Sequence, residues 1–187
     1  MNILKVIKSV LSEPTKFFKK VKKGKKNLKF AFGYHAVLYL FSMFVSFLIG
    51  RFVMVPLLSS NFGTMNNVFT APMMIGMYAA GLTLSFAFAG ILHLWILIFG
   101  GKNGYVKSYE LGAYAGTPSM LFGWIPVIGV IGGIVWSTAL VIIGTMHVHK
   151  IKKTTAILMF AIPMGILLLI YIPMYLLGLA IQIGLLG

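Results

Sequence analysis

The stretch KFFKKVKKGKKNLKFAFGYHAVLYLFSMFVSFLIG, residues 16–50, decides the fold. Eight lysines crowd its first fourteen residues, and the chain then turns apolar. The remainder follows the same pattern. Ten lysines fall in residues 1–29, Lys102 and Lys107 lie in a Gly-rich break, and Lys150, Lys152 and Lys153 lie in another. Of the sixteen basic residues only Arg51 is elsewhere. Lysine and arginine beside apolar spans are retained on the cytoplasmic side of a membrane. The distribution therefore implies an all-α, polytopic membrane protein with a basic cytoplasmic face.

Composition agrees. The 187 residues are 59% hydrophobic and 10% charged, with a mean hydropathy of +0.97. A soluble domain is about 25% charged. A net charge of +14 would suit nucleic acid, but these lysines border apolar spans, so anionic lipid headgroups are the nearer partner and no nucleic acid is expected. Cysteine and aspartate are absent, and the only carboxylate side chains are Glu13 and Glu110. Thiolate metal sites, disulfides and thiol catalysis are thereby excluded. The basic N-terminal stretch is too long for the n-region of a signal peptide.

Residues 1–30 read as a cytoplasmic basic amphipathic segment and 31–187 as the membrane domain. Ile3, Leu4, Ile7, Val10 and Leu11 follow the spacing of one helical face. Ser12-Glu13-Pro14 breaks and restarts the helix, and Phe17, Phe18 and Val21 interleave with lysines. This pattern predicts an amphipathic helix lying in the membrane interface, the alternative being a solvated tail that only orients the protein. Lys16, Lys19, Lys20, Lys22, Lys23, Lys25, Lys26 and Lys29 are its candidate lipid-headgroup ligands.

A crossing helix needs about 20 apolar residues. Hydropathy places five transmembrane spans at about 33–57, 72–99, 111–128, 132–148 and 155–177. The apolar block 111–148 is divided at the Gly-rich stretch 128–133. Lysine-bearing breaks then fall inside and uncharged ones, such as 59–70, outside. Five spans put the N-terminus in the cytoplasm and the C-terminus outside. Residues 178–187 are apolar and either extend the last helix or lie against the outer surface.

Few residues could carry chemistry. Without aspartate or cysteine, neither a Ser-His-Asp nor a Cys-His arrangement can be built. Glu110 opens the predicted third span, where a carboxylate complements the positive helix end. His147 and His149 lie two apart and make a poor metal pair on a helix, so no metal or cofactor is expected. His93 lies inside the cytoplasmic end of span two, either as a neutral hydrogen-bonded imidazole or as a functional group. Chain order predicts a loose cluster of His93, Tyr109, Glu110, Tyr114 and His147 at the inner boundary. Pro118, Pro126, Pro163 and Pro173 predict kinks inside spans. Gly112/Gly116 and Gly129/Gly133 have the spacing of close helix contacts, within the chain or between copies. Two readings follow: a non-enzymatic scaffold binding anionic lipid or a partner protein, and a small transporter or channel with a cavity near His93 and Glu110.

Several segments carry a resemblance. They are Gly-Gly-Lys-Asn-Gly at 100–104, Tyr109, Gly112-Ala113-Tyr114 and Thr117-Pro118. Trp124-Ile125-Pro126-Val127-Ile128-Gly129, Trp136 and the run from Ile143 to Lys150 continue it, and Ser12 to Phe18 looks like the start of prokaryotic members. Together these segments resemble the Yip family, the Ypt/Rab-interacting multi-span membrane proteins. The resemblance implies a five-span helical fold, a cytoplasmic N-terminus, membrane organisation or trafficking rather than catalysis, and association with itself or another membrane protein. Eukaryotic relatives bind small GTPases. The long N-terminal domain and the Asp-Leu-Tyr-Gly-Pro motif of those relatives are missing here, so small-GTPase binding is not carried over. A short, lysine-rich form suggests a prokaryotic cell membrane.

Overall fold

The computed structural model of the chain describes residues 2–54 and 71–182, and their regular structure is all helical. The polar stretch 59–70, the end of span one at 55–57, and residues 183–187 lie outside the described residues.

Helix α1 spans Ile3–Ser12 and α2 spans Pro14–Lys23. Asn2 caps α1 by accepting from the Leu4 N–H at 2.9 Å. Pro14 opens α2, where a missing N–H costs nothing. Val6, Val10, Phe17 and Phe18 are buried. Of the face expected to lie against lipid, Val10, Phe17 and Phe18 are packed on protein, while Leu4 stays 72% exposed. Phe17 meets Tyr114 edge to face at 5.1 Å, and Phe18 fits beside Leu111 in the space left by Gly144.

Helix α3 spans Leu28–Ile49 and continues as a π-helical turn over Gly50–Met54. Asn27 caps it by accepting from the Phe30 N–H at 3.0 Å. Then follow α4 (Ala71–Ile98), α5 (Tyr105–Ala115), α6 (Thr117–Phe122), α7 (Ile128–Val148) and α8 (Lys153–Gln182). Among the described residues, four stretches are long and apolar enough to cross a membrane: Leu28–Val53, Pro72–Ile98, Ile128–Val148 and Lys153–Ile181. Their outer faces stay apolar; Leu169 and Ile75, for example, are 76% and 71% exposed. Such a surface suits hydrocarbon, not water.

The region predicted as one span at 111–128 differs. Its helix begins earlier, at Tyr105, breaks at Gly116 and ends at Phe122. The turn predicted at 128–133 instead lies at 123–127, and Gly129 and Gly133 sit inside α7. Those glycines serve close packing. A Cβ on Gly133 would stand 3.0 Å from the Ser119 Cα, and one on Gly129 would collide with the Phe122 carbonyl. Pro118 lies in the first turn of α6, just after the break at Gly116, and Pro126 lies between helices. Pro163 and Pro173 do lie within a helix, the thirty-residue α8.

Cross-helix contacts fix the directions. Helices α3 and α4 run antiparallel, with Phe32 stacked on Phe86 and the Tyr78 hydroxyl donating to the Ala36 carbonyl. Helices α5 and α6 run alongside α3, from Asn27 near Glu110 to Tyr34 near Thr117. They run antiparallel to α7, from Ser108 beside His149, through Ser119 bonded to Ser137, to Phe122 beside Gly129. Helix α5 is the hub, touching α2, α3, α4, α6 and α7. Helix α8 packs on α7, and Trp95 from α4 donates to its Met159 carbonyl. One end of the bundle thus gathers the starts of α3, α5 and α8, the ends of α4 and α7, and the lysines of the flanking turns.

Candidate functional site

At this basic end, Lys107 and Glu110 form an ion pair of 2.7 Å, their side chains 6% and 4% exposed. The three protons of the Lys107 ammonium are all used. It donates to Glu110 Oε2, to the Val21 carbonyl at 2.6 Å and to the Gly24 carbonyl at 3.1 Å. The last two lie at the C-terminal end of α2, where a cation suits the helix dipole. Glu110 Oε1 accepts from the Asn27 N–H at 2.6 Å, just before α3. Two residues of α5 therefore hold the segment joining α2 to α3. Chain order expects Glu110 at a helix start; it is instead in the second turn of α5, one turn after its lysine.

Beside this pair runs a second polar chain. The Ser108 hydroxyl lies 2.9 Å from His93 Nδ1 and 3.2 Å from His149 Nε2. His149 is fully buried, and its Nδ1 has no partner among the described residues. Burial first, then the neighbouring His93, pulls its pKa down to about 4, so the imidazole is neutral near pH 7. Neither imidazole meets a carboxylate, because Glu110 is taken by Lys107 and Asn27. A nucleophilic serine triad is therefore not assembled.

The other residues of the predicted cluster divide: Tyr114 shares a cavity of about 250 Å³ with Lys107 and Glu110, while Tyr109 and His147 make other contacts. The Tyr109 hydroxyl meets Ser85 at 3.0 Å, and its ring stacks on Phe86. Tyr114 is wedged between Phe17 and Tyr34. His147 lines a cavity of about 450 Å³ with Lys19, Lys22, Lys23, Lys150 and Lys152. All eight lysines from Lys16 to Lys29 are exposed, and Lys16 pairs with Glu13 at 2.9 Å. The break at 100–104 is tied down: the Asn103 side chain and the Lys102 N–H donate to the Val148 and His149 carbonyls. Gly100 takes φ +84° there, a conformation that favours glycine.

A further cavity of about 450 Å³ lies among α3, α4, α5 and α6, lined by His35, Tyr39, Ser42, Ser85 and Tyr109 among others. Neither His93 nor Glu110 lines it.

Sequence reasoning missed Lys107, Ser108, His149 and His35 as site residues. Lys107 and Glu110 have i, i+3 spacing, which signals a pair only once the helix starts before Lys107. His35 lies about two turns into α3 but only two residues into the span expected at 33–57, and an ionisable group is a signal only deeper in a span.

No curated protein and no solved structure matches the chain. The Yip1 domain matches it over residues 8–177, from α1 through the turn at 100–104 and the lysine-bearing turn after α7 into α8. With nearly its whole length covered, the chain is a multi-pass membrane protein that belongs to the Yip1 family.

Proposed function

We propose that this protein is a non-enzymatic membrane scaffold of five spans whose basic end faces the cytoplasm of a cell membrane and gathers anionic lipid. One observation carries the reading. Fifteen of the sixteen basic residues belong to the basic end or the helices folded on it, and both carboxylate side chains are already paired with Lys16 and Lys107. The remaining lysines need anions from outside, and lipid headgroups are the nearest. The same shortage of carboxylates argues against acid–base catalysis. Membership of a family associated with membrane trafficking supports a scaffold.

The fifth span is α5 with α6. Together they accompany α7 from His149 at the basic end to Gly129 at the other, so they cover the same depth. The break at Gly116 is tolerable because its neighbours Ala115 and Thr117 are buried in protein. Five crossings place the C-terminus outside.

The test reconstitutes the full chain in nanodiscs of mixed phosphatidylcholine and phosphatidylglycerol, then measures which lipid survives detergent extraction. Phosphatidylglycerol should be enriched, and rising salt should erase the enrichment. Equal retention of both lipids at low salt would sink the reading. A partner protein at the same face would appear as a crosslinked adduct insensitive to lipid charge. The alternative, a small transporter or channel, has two candidate cavities, one beside His35 and one of about 250 Å³ lined by Lys107, Glu110 and Tyr114. It would gain ground if His35→Ala abolished uptake of a solute by proteoliposomes.

A further inference from the structure

We infer that the cavity between α2 and the turn after α7 is a specific site for a phospholipid carrying two phosphate groups in its head region. The inference rests on the reading of the basic end as lipid-facing and adds to it a defined place and ligand class.

Three lysines, Lys19, Lys22 and Lys23, form one wall, and Lys150 and Lys152 form the other. The walls are far apart in sequence and meet because α2 packs along α7. Five ammonium groups around one cavity of about 450 Å³ repel one another. The chain has no carboxylate side chain left to neutralise them, since Glu13 is bonded to Lys16 and Glu110 is buried against Lys107. An external anion is the remaining source of compensation. A single phosphodiester carries one charge, and two phosphates match the five lysines better.

The turn is built to present its lysines. His149 and Ile151 are buried on either side of Lys150, which takes φ +60°. A left-handed conformation is costly for a non-glycine residue and persists only where its neighbours impose it. Here the two buried neighbours turn Lys150 outward. Met146 and Ile151 complete the cavity with apolar surface, and His147 adds a polar edge. Apolar lining beside the lysines suits a membrane lipid better than a free polyphosphate, which has no use for it.

The test is native mass spectrometry of the full chain in detergent, titrated with a diphosphatidylglycerol, a phosphatidylglycerol and a phosphatidylcholine. The two-phosphate lipid should bind about tenfold more tightly than phosphatidylglycerol. Lys150→Gln/Lys152→Gln should weaken it about tenfold, and so should Lys19→Gln/Lys22→Gln from the opposite wall. Lys5→Gln/Lys8→Gln removes equal charge from α1, away from the cavity, and should change binding less than about twofold. Unaltered lipid-free melting of the wall variants would exclude misfolding, and two independent walls keep the result readable if one variant misfolds. Equal weakening by all three double variants would overturn the site while leaving the general anionic-lipid reading intact. Inorganic pyrophosphate competing as well as the lipid would overturn the lipid assignment. Absence of any preference among the three lipids would overturn the site and the general reading together.

Discussion

Lys107 and Glu110 meet 2.7 Å apart in the interior of the basic end, one helical turn apart on α5. Neither contacts the other alone: the lysine grips the end of α2 and the glutamate grips the backbone before α3. A buried pair of this kind adds little net stability, because desolvation offsets attraction, yet losing one partner strands a charge. Its main effect here is to lock the N-terminal helices onto the bundle in one register.

Glu110→Ala should therefore destabilise the protein by about 3–5 kcal/mol, seen as a lower melting temperature in detergent. Lys107→Met/Glu110→Leu should recover most of that loss, since no charge is left buried. It should still leave the 16–29 segment more open to trypsin, because the Val21 and Gly24 carbonyls lose their donor. Protease protection equal to the parent protein would show that the pair does not hold α2.

Adjacent glycines on α7 should respond oppositely. Gly133→Ala places a methyl group 3.0 Å from the Ser119 Cα, where backbone must move, and should cost about 1–3 kcal/mol. Gly132 has nothing within 4 Å of a new Cβ, so Gly132→Ala should be neutral or slightly stabilising. Melting of the two variants side by side checks the direction in which α7 faces α6.

His149 should make stability depend on pH. Its folded pKa of about 4 lies below the ordinary value of 6.5, so the unfolded chain binds the proton first as pH falls. Its contribution is complete above pH 6.5 and is lost between pH 6.5 and 4. The melting temperature should fall over that window, and His149→Gln should flatten this part of the profile. An identical profile in the variant would place the dependence elsewhere.

A reporter fused after Gly187 should register on the non-cytoplasmic side, and one placed at Lys102 in the cytoplasm. A cytoplasmic signal after Gly187 would mean that α5 and α6 turn back without crossing.

Some of this was legible residue by residue. The lysine-rich end, the apolar spans and the breaks at 100–104 and 149–152 follow from composition along the chain. So do the restart at Pro14 and the early motifs shared with the family. The turn between α6 and α7 was not legible. Gly129 and Gly133 look like turn formers in a sequence, but here they let helices touch, and nothing local separates the two uses. Phe17 and Phe18 of α2 likewise fit lipid or protein equally well by pattern; only the space at Gly144 and the ring of Tyr114 choose protein.

Sequence alone determined which surroundings each segment prefers, because transfer between water and hydrocarbon acts on every side chain independently of its neighbours. Tertiary structure alone decided which residues meet: Lys107 with Glu110 and α2, Ser108 between two imidazoles, and Lys19, Lys22 and Lys23 across a cavity from Lys150 and Lys152. Those meetings depend on how closely particular helices can approach. Shape complementarity between distant segments sets that approach, and neither charge nor hydropathy encodes it.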